Sequence, residues 1–222
     1  MRVTTYLDEA LTKLEQFEGS VAWMYRDTVG KVTVGVGMLL PDAEAACRLP
    51  FRLGEEPASE AEICAEFARV DSLPFGRPSL FYRPTHGPEL QKTEIDSMLR
   101  QVVEGFESEL HASLRNWDTL PDGVKLALLD MAYNLGPAGL LHGYPRLMGA
   151  VRSGDWVRAA AACYRKGPGA ARNDWTRQMF LASVVGTVKA EAESGLARLG
   201  FGLVGAGASA ATWLARRAGR RR

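Results

Sequence analysis

Residues 18–37 read EGSVAWMYRDTVGKVTVGVG and predict the passage from a helix into a short β-hairpin. Gly19 indicates the end of a helix, residues 28–31 are typical of a turn, and residues 32–36 alternate as a strand does. Together these elements can point the side chains of Glu18, Asp27 and Thr33 into one cleft. The stretch therefore predicts an α+β fold with a candidate site beside its hairpin.

Glu18 stands in phase with an apolar stripe. Leu7, Leu11 and Leu14 precede it at the spacing of one helix face. A carboxylate on a buried face is desolvated, and desolvation favours the protonated form that a general acid needs. The alternative is a structural one, in which Glu18 ends the stripe and turns to solvent.

Asp27 and Thr33 supply the other two polar groups. Asp27 follows Glu18 by nine residues, and Thr33 follows Asp27 by six. Glu18 would lie at a helix end and Asp27 on a polar turn, so the two carboxylates would meet unlike environments. A pair of carboxylates in unlike environments is typical of the active sites of glycoside hydrolases.

This stretch resembles the phage-type lysozymes, glycoside hydrolase family 24, whose catalytic set is Glu, then Asp or Cys, then Thr or Ser. Glu18, Asp27 and Thr33 match that set in type and spacing. The Glu-Gly, Tyr-x-Asp and Gly-x-Gly positions around them match as well. The resemblance implies that these three residues are catalytic and that Tyr25 contacts the substrate.

The resemblance continues downstream and covers residues 7–185. A helical stripe resembles the long helix that joins the two lobes of the family, and Thr93 is its expected N-cap. The 122–140 stretch resembles the central buried helix with its Asn-x-Gly end at 134–136, which implies Asn134 as a substrate contact. Arg172 occupies the usual basic position and is also expected to bind substrate. The stripe consists of Ile95, Met98, Leu99, Val102, Val103, Phe106, Leu110 and Leu114.

The implied fold is α+β and mostly helical, with a small hairpin-containing lobe and a larger helical lobe. Two features depart from the family. Met38 replaces the usual His after Gly-x-Gly, which concerns the stability of the lobe more than catalysis, and residues 41–92 form an enlarged insertion. Within it, residues 73–84 are rich in Pro and aromatics and predict an ordered loop. This loop either overhangs the cleft or caps the small lobe.

The charge of the chain is unevenly placed. The last 29 residues hold six arginines and no acid, which leaves 21 basic and 26 acidic residues, a charge of −5, for residues 1–193. This balance argues against a nucleic-acid binder. We assign residues 1–193 to the catalytic domain and residues 194–222 to a tail. Its uncharged run 199–215 is either a packed helix, a contact with an anionic membrane surface, or a short span.

Cysteine and histidine indicate no cofactor. Cys47, Cys64 and Cys163 are odd in number, lack Cys-x-x-Cys spacing and are most simply reduced and buried, although a disulfide after export is an alternative. The three histidines form no metal motif. Residues 1–9 contain no apolar h-region. The chain is therefore expected to be made in the cytoplasm without a signal peptide and to reach periplasmic peptidoglycan through a phage holin or a secretion machine.

The function implied by the resemblance is that of an N-acetylmuramidase, either an endolysin or a secreted antibacterial effector. It would cleave the β-1,4 bond between N-acetylmuramic acid and N-acetylglucosamine with inversion. Its partners would be peptidoglycan glycan strands and an inhibitor or immunity protein. Two alternatives stay open: a non-catalytic glycan- or partner-binding protein on the same scaffold, and a chitin- or chitosan-cleaving relative.

Overall fold

The computed structural model describes residues 5–198, and the side chains of residues 5–184. These residues form a mostly helical α+β fold, as predicted. The helices are α1 Tyr6–Glu18, α2 Ala43–Cys47, α3 Glu60–Ser72, α4 Lys92–Ser113, α5 Asp122–Leu135, α6 Pro137–Gly143, α7 Pro145–Ser153, α8 Trp156–Ala162 and α9 Ala170–Arg198. The strands are β1 Val21–Arg26, β2 Val32–Gly35, β3 Met38–Leu39, β4 Arg52–Leu53 and β5 Glu56–Pro57, and 3₁₀ turns span Ser79–Tyr82 and Trp117–Thr119.

Helix α1 begins and ends where its sequence indicates. Thr5 is its N-cap and forms a capping box with Asp8. At the other end Gly19 has φ 77°, a backbone conformation that favours glycine, and its N–H donates to the Glu15 carbonyl at 2.9 Å. The predicted end of the helix at Glu18 is confirmed, and it fixes the point from which the Glu18 side chain projects.

Asp8 links this helix start to α4 and makes the stability of the fold depend on pH. Arg100 Nη2 donates to Asp8 Oδ1 at 2.6 Å, and the Thr5 N–H donates to Oδ2 at 3.1 Å. The hydrogen bonds from Arg100 and Thr5 lower the pKa of Asp8 to about 2. Because the folded-state pKa lies below that of the unfolded chain, the stabilisation is present above pH ~4 and is lost as the pH falls toward 2.

We therefore expect the wild-type chain to have a higher melting temperature than Asp8→Asn at pH 5. The difference in melting temperature should disappear as the pH falls to about 2. Melting temperatures measured by circular dichroism at a series of pH values check this. A gap that stays constant over that range would contradict the linkage.

The front sheet has the strand order β1-β2-β3 and is antiparallel throughout. Tyr25 pairs with Thr33 and Arg26 with Val32, and a bulge separates the Val21 and Tyr25 pairings. Gly30 closes the β1–β2 turn with φ 84°, and a Cβ at this position would lie 3.2 Å from the Arg26 side chain. The predicted hairpin is thus confirmed, with Asp27 at its turn.

The insertion packs against this hairpin. It contains α2, α3 and the β4–β5 pair, and α3 contacts both β1 and β2. In its aromatic loop, the Ser79 carbonyl accepts from Trp23 Nε1 at 2.8 Å, and the Leu73 carbonyl accepts from Arg26 Nη1 at 2.7 Å. The loop is ordered as predicted, and these contacts support the alternative in which it caps the small lobe.

Helix α4 spans 22 residues and is the predicted long helix. Its buried face carries Ile95, Leu99, Val103 and Leu110. The expected N-cap at Thr93 is wrong: Gln91 is the N-cap, because the amides of Glu94 and Ile95 both donate to the Gln91 carbonyl at 3.1 Å. Thr93 lies inside the first turn instead.

Helix α5 forms the centre of the larger lobe. Every residue from Leu126 to Ala132 is buried, and the helix packs against α1, α4 and α6. The helix ends at Gly136, the Asn-x-Gly end that the resemblance implies, and the rest of the stretch 122–140 belongs to α6, which starts at Pro137. Gly136 has φ 72°, and this positive φ interrupts the helical hydrogen bonds.

The first compact unit of the chain ends at Ser183, and a second begins at Val184. The predicted tail run 199–215 lies outside the described residues, so its membrane contact and the boundary at 193 stay predictions. Within residues 5–198, no helix has the length and apolar content needed to cross a bilayer.

The cysteines differ from expectation. Cys163 is buried, but Cys47 is half-buried and Cys64 is exposed. Burial of all three was the wrong prediction, because α3 buries the face of Ile63 and Val70 and leaves Cys64 off that face.

Candidate active site

Glu18 projects from the last residue of α1 toward α9. Its side chain is 28% exposed, and its Oε1 accepts a hydrogen bond from Arg172 Nη1 at 2.5 Å. The expectation that apolar neighbours desolvate this carboxylate is wrong, because the stripe ends at Leu14 and the chain turns at Gly19. An ion pair, rather than an apolar pocket, sets the direction of the Glu18 carboxyl group.

Asp27 forms the corner of the β1–β2 turn. Its Oδ1 accepts from the backbone N–H groups of Val29 at 2.9 Å and Lys31 at 2.8 Å. Within the described part of the chain, no hydrogen bond to Oδ2 is present. One oxygen therefore fixes the carboxylate on the hairpin, and the other is free to bind water.

Thr33 lies opposite Tyr25 in the antiparallel pair, so the two side chains project from the same face of the sheet. Thr33 is 4% exposed, and its hydroxyl donates to the Lys31 carbonyl at 3.1 Å. Tyr25 is half-buried. The hairpin register thereby places the predicted hydroxyl beside the predicted substrate contact.

Two tyrosines lie within electrostatic range of the candidate carboxylates. Burial raises the pKa of Tyr25, and the negative charges of Glu18 and Asp27 raise it further. Burial also raises the pKa of Tyr133, with Glu18 raising it and Arg172 lowering it. Coulombic interactions fall off with distance, so Tyr25 lies near both carboxylates, and Tyr133 lies near Glu18, Arg172 and Tyr25.

Tyr133 was not singled out from the sequence. Its hydroxyl donates to the carbonyl of Val36, between the two glycines of Gly-x-Gly, and so joins α5 to the hairpin. It also lines an apolar cavity of about 260 Å³ between this segment and α4. Met38, at the position of the usual His, lines the same cavity. An apolar contact therefore occupies the position of the family's usual His.

A buried polar network holds Arg172 in place. Arg172 is 8% exposed, and its Nε donates to Asp130 Oδ1 at 2.7 Å. The other oxygen of Asp130 accepts from Arg165 Nη2 at 2.6 Å, and Arg165 is fully buried. Thr176 Oγ1 lies 2.7 Å from both Asp130 Oδ2 and Arg165 Nη2. Asp130 thus bridges two arginines, one of which reaches Glu18.

Burial lowers the pKa of Arg172, but the charges of Asp130 and Glu18 outweigh burial and leave the pKa raised. The guanidinium also lies 5.2 Å from the centre of the Phe17 ring. Its contacts are with the protein, so the predicted substrate contact at Arg172 stays a prediction. Asn134 is exposed in the last turn of α5.

The sequence contained a signal for Asp130. This residue interrupts the apolar run of α5 in the way that Glu18 interrupts the stripe of α1, and a charge in a buried helix needs a partner. Arg165 carries no such signal, because it precedes α9 in a connecting segment. Within residues 5–198, no group of three or more His, Cys, Asp or Glu side chains is placed to hold a metal ion.

Comparison with known proteins gave matches among solved structures. No protein-family model and no curated protein matches this sequence. Among solved structures, the chain is similar to an endolysin from Escherichia coli O157:H7 phage FAHEc1, with a TM-score of 0.46 and 16% sequence identity. The match covers 81% of this chain and 91% of that one.

Proposed function

We propose that this chain is a peptidoglycan hydrolase, an N-acetylmuramidase that cleaves the β-1,4 bond between N-acetylmuramic acid and N-acetylglucosamine. The observation that carries the proposal is the position of Tyr25, which pairs with Thr33 across the hairpin and whose pKa is raised by burial and by the charges of Glu18 and Asp27. Two carboxylates around one partly open site supply an acid and a base for glycoside hydrolysis. The resemblance of residues 18–37 to glycoside hydrolase family 24 is the reason for proposing peptidoglycan as the substrate.

Glu18 is the proposed general acid. Arg172 fixes the direction of its carboxyl group, and the 28% of the side chain that is exposed gives a glycosidic oxygen access to it. A glycan strand in the cleft excludes water from this group, and desolvation favours the protonated form. Glu18 then donates its proton to the leaving oxygen.

Asp27 is the proposed base. Its Oδ1 is held by the turn, so Oδ2 can accept a proton from a water molecule that attacks the opposite face of the sugar. Thr33 lies on the adjacent strand and can accept a hydrogen bond from that water. Tyr25 and Asn134 are the proposed sugar contacts. Attack by water in one step inverts the anomeric carbon.

The proposal is tested with two substrates in parallel. The full chain should clear a suspension of purified peptidoglycan and leave chitin oligomers largely intact. Cleavage of chitin alone would favour the chitinase alternative. Binding to peptidoglycan without cleavage of either substrate would favour the non-catalytic alternative.

We expect Asp27→Asn to lower turnover by about 10²-fold or more and to leave glycan binding nearly unchanged, because the base acts in the transition state. Asparagine keeps the Oδ1 acceptor for Val29 and Lys31, so the turn is preserved. Initial rates and a pull-down on insoluble peptidoglycan measure the two quantities.

Proton NMR of the first product of the wild-type chain complements this test. The α anomer is expected from a β linkage, since the proposed mechanism inverts. A β anomer at early times would mean retention and would make Asp27 a nucleophile instead of a base.

A further inference from the structure

Two cysteines of the insertion face each other. Cys47 ends α2 and Cys64 lies in α3, 17 positions later, and their Sγ atoms are 3.4 Å apart. The Cys47 Sγ also lies 3.7 Å from the carbonyl oxygen of Glu60, in the first turn of α3. Because α2 packs directly on α3, the fold itself brings the two thiols together.

The third cysteine, Cys163, is more deeply buried than this pair. Cys163 is 2% exposed, and its Sγ lies 3.3 Å from the carbonyl oxygen of Ala160. Cys64 is exposed and Cys47 is half-buried, so an oxidant in solution reaches that pair and not Cys163. The chain therefore contains its own control thiol.

We propose that Cys47 and Cys64 form an intramolecular disulfide when the chain meets a disulfide oxidant, as in an oxidising compartment. Closure to the bonded distance of about 2.05 Å requires an approach of little more than 1 Å, which rotation of the two side chains can supply. The bond would join the two helices of the insertion and enclose the β4–β5 pair between them. This modification does not depend on the proposed hydrolase activity.

The chemistry is ordinary thiol–disulfide exchange. The exposed Cys64 loses a proton and attacks one sulfur of a small disulfide such as oxidised glutathione, which releases one glutathione thiolate. Cys47 then loses its proton, attacks Cys64 Sγ and expels the second glutathione thiolate. Two protein thiols are oxidised by two electrons, and the oxidant becomes two thiols that take up both protons.

The second step should depend on pH. In the reduced chain, desolvation and the neighbouring Cys64 thiol raise the pKa of Cys47 to about 11, and desolvation still raises it once glutathione occupies Cys64. Only the thiolate is nucleophilic, so closure of the mixed disulfide should become faster as the pH rises from 7 to 9. Acid quenching at timed intervals follows this step.

The test uses the full chain, reduced, freed of reductant and exposed at low concentration to oxidised glutathione. We expect the monomer to lose about 2 Da and to retain one titratable thiol under denaturing conditions. Cys163→Ser should lose the same mass and retain none, whereas Cys47→Ser should stop at a glutathione adduct on Cys64. Three persistent thiols, an adduct on the wild-type chain that never closes, or bonds only between monomers would each overturn the proposal.

Thermal melting tests whether the disulfide stabilises the folded state. The oxidised chain should melt roughly 5–10 °C above the reduced chain, as expected for a disulfide that closes a short loop in a domain of this size. The double variant Cys47→Ser/Cys64→Ser should melt at one temperature in both conditions. An oxidised form that melts at or below the reduced form would show that the bond distorts the α2–α3 contact, and would overturn the proposal.

Discussion

Glu18→Gln should lower peptidoglycan hydrolysis by at least ~10²-fold and leave the fold intact, because it removes the proton that the proposed acid donates. Glutamine keeps Oε1 as an acceptor for Arg172 Nη1, so the position of the side chain is preserved. The rate of turbidity loss and the melting temperature, measured on the same preparation, separate chemistry from folding.

Glu9→Gln is the matched control. Glu9 is exposed on the same helix, and its substitution should leave the rate near that of wild type. If Glu18→Gln kept near-normal lysis, Glu18 would not be the acid and the proposed mechanism would lose its central residue. Equal losses in both variants would point to a general effect of charge instead.

Asp130→Ala should cause the largest loss of stability, about 3–5 kcal/mol in the free energy of unfolding, because it leaves two buried arginines without their common partner. Asp130 is 2% exposed and binds Arg165 at 2.6 Å and Arg172 at 2.7 Å. In a chain of this length the melting temperature should fall by roughly 10 °C. Denaturant unfolding measures the free energy directly.

Asp174→Ala is the control for this variant, since Asp174 is exposed on α9 and its loss should cost less than ~1 kcal/mol. Asp130→Asn keeps the shape and one acceptor oxygen but removes the charge, so its stability should lie between wild type and Asp130→Ala. A change below about 1 kcal/mol in Asp130→Ala would show that the network is not a determinant of stability.

Local features were predictable because neighbouring residues decide them. The end of α1 at Gly19, the hairpin over β1 and β2 and the buried face of α4 all follow from periodicity and turn chemistry. The wrong prediction of the α4 N-cap arose because two neighbouring residues could each begin the helix. A threonine favours an N-cap, yet Gln91 holds that place because its carbonyl accepts the first helical hydrogen bonds.

The site itself was predictable in part. The sequence named Glu18, Asp27 and Thr33 as candidate residues, and the register of the hairpin brings Thr33 beside Tyr25. The environment of Glu18 was not predictable, because its partner Arg172 lies 154 positions away. Whether a carboxylate meets leucine or guanidinium depends on where a distant helix packs.

The sequence alone determined the end of α1, the β1–β2 hairpin, α4 and α5, and the residue types of the candidate site, since hydrogen bonds within a helix or a hairpin join residues that are close along the chain. Tertiary structure decided which charges meet. Asp130 and Arg165 are separated by 35 positions and Cys47 and Cys64 by 17. Such pairs form only when whole helices pack together, because burial of apolar faces sets the helix positions and the polar side chains must then find partners within reach.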